Sequence, residues 1–171
     1  MAVTSSGTAV VTLPADDQIL IKRQFAAPKH LVYKAWTTPE LVKRWWSSDY
    51  GEMSVADIDL RVGGRWRFAM VTKDGLEVAF HGEYREIVPN ERIVSTEVYE
   101  ASGEGGADTT AAEEQAALNT VTFTEVDGAT TLTVLVQCPT NEVRDAIINS
   151  GMEVGMQKAY DLLEQVAVSL M

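Results

Sequence analysis

The sequence predicts an α+β fold of the helix-grip kind, in which a curved antiparallel sheet wraps around one long C-terminal helix and two short helices follow the first strand. Three observations carry this. Two short apolar stripes of helical period follow an opening extended segment, a long middle stretch alternates with period two, and the chain after Pro139 keeps a helical period to its end.

The first strand is Gln18 to Phe25, QILIKRQF, which alternates Ile19, Ile21 and Arg23 against Leu20, Lys22 and Gln24 and so has one imperfect buried face. Pro28 then stands at a favourable first helical position, and Leu31, Val32, Ala35 and Trp36 recur on one helical face. Thr38-Pro39-Glu40 restarts the pattern, with Thr38 as N-cap, and Leu41, Val42, Trp45 and Trp46 form the next stripe.

From Ser54 to Gln137 the period is two. Turn signals at Gly63-Gly64, Lys73-Asp74-Gly75, Pro89-Asn90-Glu91 and Asp127-Gly128 divide the stretch into the strands of an antiparallel meander. The most telling strand is Gly64-Arg65-Trp66-Arg67-Phe68-Ala69-Met70, which places Trp66, Phe68 and Met70 on an aromatic face and Arg65, Arg67 and Ala69 on a wet one. Between about residues 100 and 115 the run EASGEGGADTTAAEE has no large apolar residue and reads as an exposed, mobile acidic loop.

After Pro139, Thr140 caps a helix with Glu142 in its first turn. Ile148, Met152, Met156, Ala159, Leu163, Val166 and Leu170 follow spacings of three and four, so one face of a single long amphipathic helix is expected to be buried. Gly151 and Gly155 lie on or beside that face and cost about 1 kcal/mol each in a helix interior, which close approach to the sheet or room for a guest would offset. A curved sheet gripping one helix leaves space between them, so a pocket is the first functional expectation.

Length and composition bound the rest. At 171 residues the chain is read as a single domain over residues 18–171 behind a flexible, polar N-terminal leader over residues 1–17. Neither a signal peptide nor a membrane span is visible, so a cytoplasmic location and no membrane insertion are expected. The formal net charge of −11 argues against nucleic acid as a partner. One cysteine, Cys138, and two histidines, His30 and His81, give neither an internal disulfide nor a metal cluster, so no metal and no cofactor are expected, and Cys138 reads as a buried small hydrophobe. Exposed sheet edges permit a homodimer, although no dedicated interface pattern points to one.

Trp45, Trp46, Trp66, Phe68, Phe80, Phe123, Met152 and Met156 are the candidate ligand-binding residues, each of which could equally be plain core. Tyr84 and Tyr160 add hydroxyls able to orient a polar group or to bond to backbone. Glu97 is the one speculative catalytic residue. Outward it is a solvated charge, the favoured reading; inward it is a candidate acid or base with a raised pKa. His81 and Glu83 read as a salt-bridged surface pair, and Asp57, Asp59 and Arg61 as an exposed charged face. No phosphate loop, dinucleotide fingerprint, HExxH or nucleophile elbow occurs.

Taken together, FAAPKHLVYKAWTTPELVKRWW, LRVGGRWRF, FHGEYREIVPNERIV, NTVTFTEVDGATTLTV and GMEVGMQKAYDLLEQV, in this order and at this spacing over about residues 18–170, resemble the SRPBCC superfamily. Within it they resemble the family of homologues of the activator of the heat-shock-protein-90 ATPase. The resemblance implies a START-like, Bet v 1-like fold with a deep pocket under the C-terminal helix. Met156 stands where relatives usually carry tryptophan, and Glu97 where they often carry an aromatic, which implies a pocket of different shape and more polar than usual. The function expected is binding of a small hydrophobic or aromatic molecule, for sequestration or for stress or resistance. The alternatives are a polyketide-type cyclase, aromatase or hydratase using the same pocket, and co-chaperone-like ATPase activation, the last suggested by the family name alone, so that a chaperone partner is not expected.

Overall fold

A computed structural model describes residues 2–4, 9–47, 50–100 and 116–171. The described residues form a nine-stranded, wholly antiparallel sheet in the order β1-β2-β3-β9-β8-β7-β6-β5-β4, with four helices. The strands are β1 (Ala2–Thr4), β2 (Val10–Leu13), β3 (Gln18–Phe25), β4 (Gly51–Ile58), β5 (Arg65–Thr72), β6 (Glu77–Val88), β7 (Arg92–Glu100), β8 (Ala117–Val126) and β9 (Ala129–Gln137). The helices are α1 (Lys29–Thr37), α2 (Pro39–Val42), α3 (Asn141–Asn149) and α4 (Met152–Ser169).

Turn chemistry sets the meander as the sequence implies. Asp127 and Gly128 both take positive φ, 52° and 80°, the signature of a two-residue hairpin turn that matches strand twist. β3 then pairs along its whole length with β9, Ile19 opposite Val136 and Phe25 opposite Thr130, which joins the two ends of the chain in the middle of the sheet. Register shifts between Met53 and Val55 and between Tyr84 and Glu86 are bulges, the device that bends a sheet toward a helix.

Two expectations change. The C-terminal helix is not continuous: Gly151 takes the left-handed conformation at φ 82°, so α3 ends at Asn149 and α4 begins at Met152. The glycine is thereby used as a break rather than borne as a defect. Within the segment expected as a flexible leader, Val10–Leu13 forms β2 against β3, and Val11 is fully buried, because its apolar residue falls in register with the buried face of Ile21. The expected acidic loop falls, beyond Glu100, on residues 101–115, outside the described residues.

Capping divides in the same way. The Thr140 hydroxyl accepts from the Val143 amide at 3.1 Å. Thr38 stands at the N-cap of α2 without a side-chain cap bond, leaving Pro39 at the first turn as the start signal, and α1 begins at Lys29 with Pro28 as its N-cap.

The imperfection on β3 has a purpose. Arg23 is 5% exposed and donates to Asp161 at 2.7 Å and to Glu164 at 3.2 Å, both on α4, with its guanidinium 4.4 Å from the centre of the Phe25 ring. Glu164 also accepts from the Ala26 amide. A second tie crosses nearly the whole chain: the buried Gln157 side chain accepts from the Ala9 amide and donates to the Ala9 carbonyl, at 3.0 and 2.8 Å. These contacts seat α4 on the β2-β3 side, and its backbone runs closer to α1 than to any strand.

Candidate functional site

The inner face of the β4–β7 half is built by period-two alternation. Ile58, Trp66 and Gly82 stand opposite one another across β4, β5 and β6, and Ala56, Phe68, Phe80 and Tyr99 form the next row. Gly82 is small for a reason. A Cβ there would run into the Thr96 carbonyl and the Trp66 indole nitrogen, and in its absence that indole N–H donates to Thr96 O at 3.2 Å.

Trp46, arriving from the turn after α2, completes the wall. Its ring meets Phe68 and Phe80 edge-on, each at 5.5 Å between centres, while Trp66 lies 5.0 Å from Phe68 and Phe80 lies 5.2 Å from Tyr99. Trp46, Phe68, Phe80, Met152 and Met156 pack against the core yet keep accessible surface. The Tyr50 ring lies directly on Gly155 of α4, where a Cβ would sit 2.6 Å from it.

Other candidates lie elsewhere. Trp45 donates its indole N–H to Ala35 O at 2.9 Å and packs with Trp36 and Tyr160; Phe123 packs with Tyr33 and Trp36. Both are 3% exposed and belong to the close-packed core between α1 and the sheet. Tyr84 and Tyr160 are buried, which pushes both phenols well above the usual range; Tyr160 also feels the charge of Glu97.

Glu97 faces inward, against the outward reading that alternation alone favoured. Its partner on β8 is Ala117, Ile93 on the same face pairs with Val121, and all three of those neighbours are core residues. Across the other ladder Gly82 falls beside it, between the His81–Val98 and Tyr84–Ser95 pairs. Glu97 is half-buried among these residues, and burial pushes its carboxyl above the ordinary range against a hydrogen bond from Asn119. The Asn119 Oδ1 atom is buried without a partner.

Sequence reasoning missed Asn119 and Tyr50. Asn119 was legible in principle: on β8 it is the polar exception on the alternating face of Ala117, Val121 and Phe123. Tyr50 had no periodic signal, since it lies outside any helix or strand.

On the outer face the expected His81–Glu83 pair does not form. His81 Nδ1 lies 2.8 Å from Glu100, which also receives Arg67 through two bonds of 3.0 and 3.2 Å, while Glu83 pairs with Arg85. Glu100 faces Ala79 across the β6–β7 ladder and so lies diagonal to His81, where its carboxylate takes up His81 and Arg67 together. Arg67 holds the Glu100 carboxyl below the usual range. Arg61 instead turns back onto Asp59 at 2.9 Å, and Ala69, expected on the wet face, is fully buried. A shallow pocket of about 80 Å³ beside Arg65, His81 and Arg85 is too small for a ring-bearing guest.

A family model described as Activator of Hsp90 ATPase homolog 1-like protein matches residues 26–167. Similar solved structures include a protein from Rhodobacter sphaeroides, 23% identical with a TM-score of 0.81 over 93% of this chain and 97% of that one. A protein from Mycobacterium smegmatis is 23% identical with a TM-score of 0.79 over 96% of each chain. A third, from Arthrobacter aurescens, is 20% identical with a TM-score of 0.80 over 93% of this chain and 91% of that one. These likenesses concern the fold. No match was found among curated proteins.

Proposed function

We propose that this chain, which belongs to the Activator of Hsp90 ATPase homolog 1-like family of the SRPBCC superfamily, holds a small hydrophobic or aromatic molecule between the β4–β7 half of the sheet and α4. The observation that carries the reading is the inward wall of Trp46, Trp66, Phe68 and Phe80, in which the rings of Trp46, Phe68 and Phe80 are incompletely covered by the protein itself. Aromatic rings with adaptable methionines opposite suit a flat apolar guest.

Titration with 2-methylnaphthalene, followed by quenching of tryptophan fluorescence and by native mass spectrometry, tests it. A saturable one-to-one complex is expected, and Met156→Trp, which fills the space from the helix side, is expected to abolish it. A wild-type protein that shows no saturable binding defeats the reading.

The inward carboxyl of Glu97 supports a second reading, a cyclase or hydratase in which Glu97 moves a proton on the bound molecule. In that case Glu97→Gln would bind the substrate normally and fail to turn it over.

A further inference from the structure

We propose that the guest of this pocket is an amine: an ammonium group on an apolar, ring-bearing body, received by the Glu97 carboxylate and the Asn119 side-chain oxygen among the rings of Trp66, Phe68 and Phe80. This deepens the binding reading above and rests on it.

The argument begins with what Glu97 lacks. Buried carboxylates are ordinarily paired with a cation or held by several donors. Among the described residues no Lys or Arg contributes to the electrostatics of Glu97, and its hydrogen bond there comes from Asn119. Gly82 and Ala117 flank it on the neighbouring strands, and neither brings a side chain that could pair with the carboxyl.

Asn119 supplies the second point. With its amide N–H turned to Glu97, Oδ1 is left buried and unpartnered. The pair therefore presents acceptors side by side, on neighbouring strands whose adjacent positions, Glu97 opposite Ala117 and Ser95 opposite Asn119, fix their spacing. A primary ammonium has donors for both; a hydroxyl has one.

The rings argue the same way. On the inner face that carries Glu97, Trp46 contacts Phe68 and Phe80 and Trp66 contacts Phe68, and the faces of such rings attract cations. The chain as a whole is acidic, with a net charge of −11, which raises the local concentration of cations over anions.

Among the described residues Tyr160 and Cys138 are the other titratable groups that feel Glu97, and burial keeps both in their neutral forms, so neither competes as a counter-charge. Burial likewise favours the protonated carboxyl of Glu97. An amine that enters uncharged takes that proton onto its nitrogen, leaving carboxylate beside ammonium and the total charge of the pocket unchanged.

The test compares three ligands that share one ring system: 2-(aminomethyl)naphthalene, 2-(hydroxymethyl)naphthalene and 2-methylnaphthalene, titrated into the purified protein near neutral pH. The amine is expected to bind roughly 10- to 100-fold more tightly than the methyl compound, with the alcohol between them. Glu97→Gln is expected to bring the amine to the level of the alcohol while changing the affinity of the methyl compound by no more than about twofold. Asn119→Leu provides an independent check, because it removes the unpartnered oxygen and is expected to narrow the same gap.

Equal binding of amine and alcohol to the wild-type protein would overturn the amine assignment, and so would an amine preference that survives Glu97→Gln. Saturable binding of the methyl compound with no preference among the three sinks this inference and leaves the binding reading standing. Failure of all three to bind sinks both.

Discussion

The two halves of the sheet solve different problems with the same geometry. On the β2-β3-β9-β8 side, Val11, Ile19, Phe25, Leu132 and Leu163 are all but fully buried, and α1 lies over them with α4 alongside. Across the β4–β7 side the inward residues include rings and methionines, several of them only partly covered, and Glu97 is among them. Aliphatic side chains interlock and supply the stability of the domain; rings and thioethers line space without collapsing into it. Stability and capacity are thus assigned to separate strands of one continuous sheet.

The division can be broken by mutation. Leu163→Ala, at a fully buried position, is expected to cost about 3 kcal/mol in chemical denaturation. Phe80→Ala removes a larger side chain but one already partly exposed, and is expected to cost clearly less. Equal losses would show that the second half is as tightly packed as the first.

A smaller effect should come from the Arg23 clamp. The guanidinium is buried, whereas its partners Asp161 and Glu164 are 59% and 33% exposed at the side chain. Neutralising both acids strands a buried charge, so the double change Asp161→Asn with Glu164→Gln is expected to cost about 2 kcal/mol. Arg23→Met leaves two acids that water can reach and is expected to cost less, about 1 kcal/mol. The reverse order, measured by urea denaturation, would mean that the clamp works by packing rather than charge.

The finest comparison lies within β7, where two acids three residues apart face opposite sides of the sheet. Glu97 is pushed up by burial, so the folded protein holds that proton more tightly than the unfolded chain does. Its contribution is complete below the ordinary glutamate range and is lost as pH rises through the elevated value. Glu100 is held down by Arg67, so its contribution is present above the ordinary range and is lost as pH falls. Stability measured against pH should therefore rise toward neutrality in Glu97→Gln relative to wild type, and fall less steeply on the acid side in Glu100→Gln. Parallel curves for the two variants would erase the distinction between the faces.

Much of this was legible in the residues. Turn dipeptides and two-residue alternation depend on neighbours in sequence, and they located the meander, the hairpins and the aromatic face of Trp66 and Phe68. The direction of Glu97 was not legible. Alternation tells which residues share a face, but Ile93, Ser95 and Tyr99 on one side and Val94, Thr96 and Val98 on the other are both passable inner faces. Only pairing with Ala117 and Val121 of β8 decides between them. The break at Gly151 was hidden for a related reason, since the apolar spacing continues across it and the backbone conformation leaves no trace in that spacing. For Trp45 and Phe123 the sequence offered aromatic character, and whether a ring borders space or fills it is settled by what packs on its other side.

The pairing of β3 with β9 also bears on how the protein is made. A strand synthesised before β4 to β8 lies between β2 and a partner more than a hundred residues later, Ile19 against Val136, and Ala9 finds its hydrogen bonds on Gln157. A ribosome-bound chain can close the local hairpins from β4 onward as they emerge, but β3 waits with its apolar edge unpaired until β9 has left the exit tunnel. The half of the molecule that ends as its most solid part is therefore the last to become safe from aggregation.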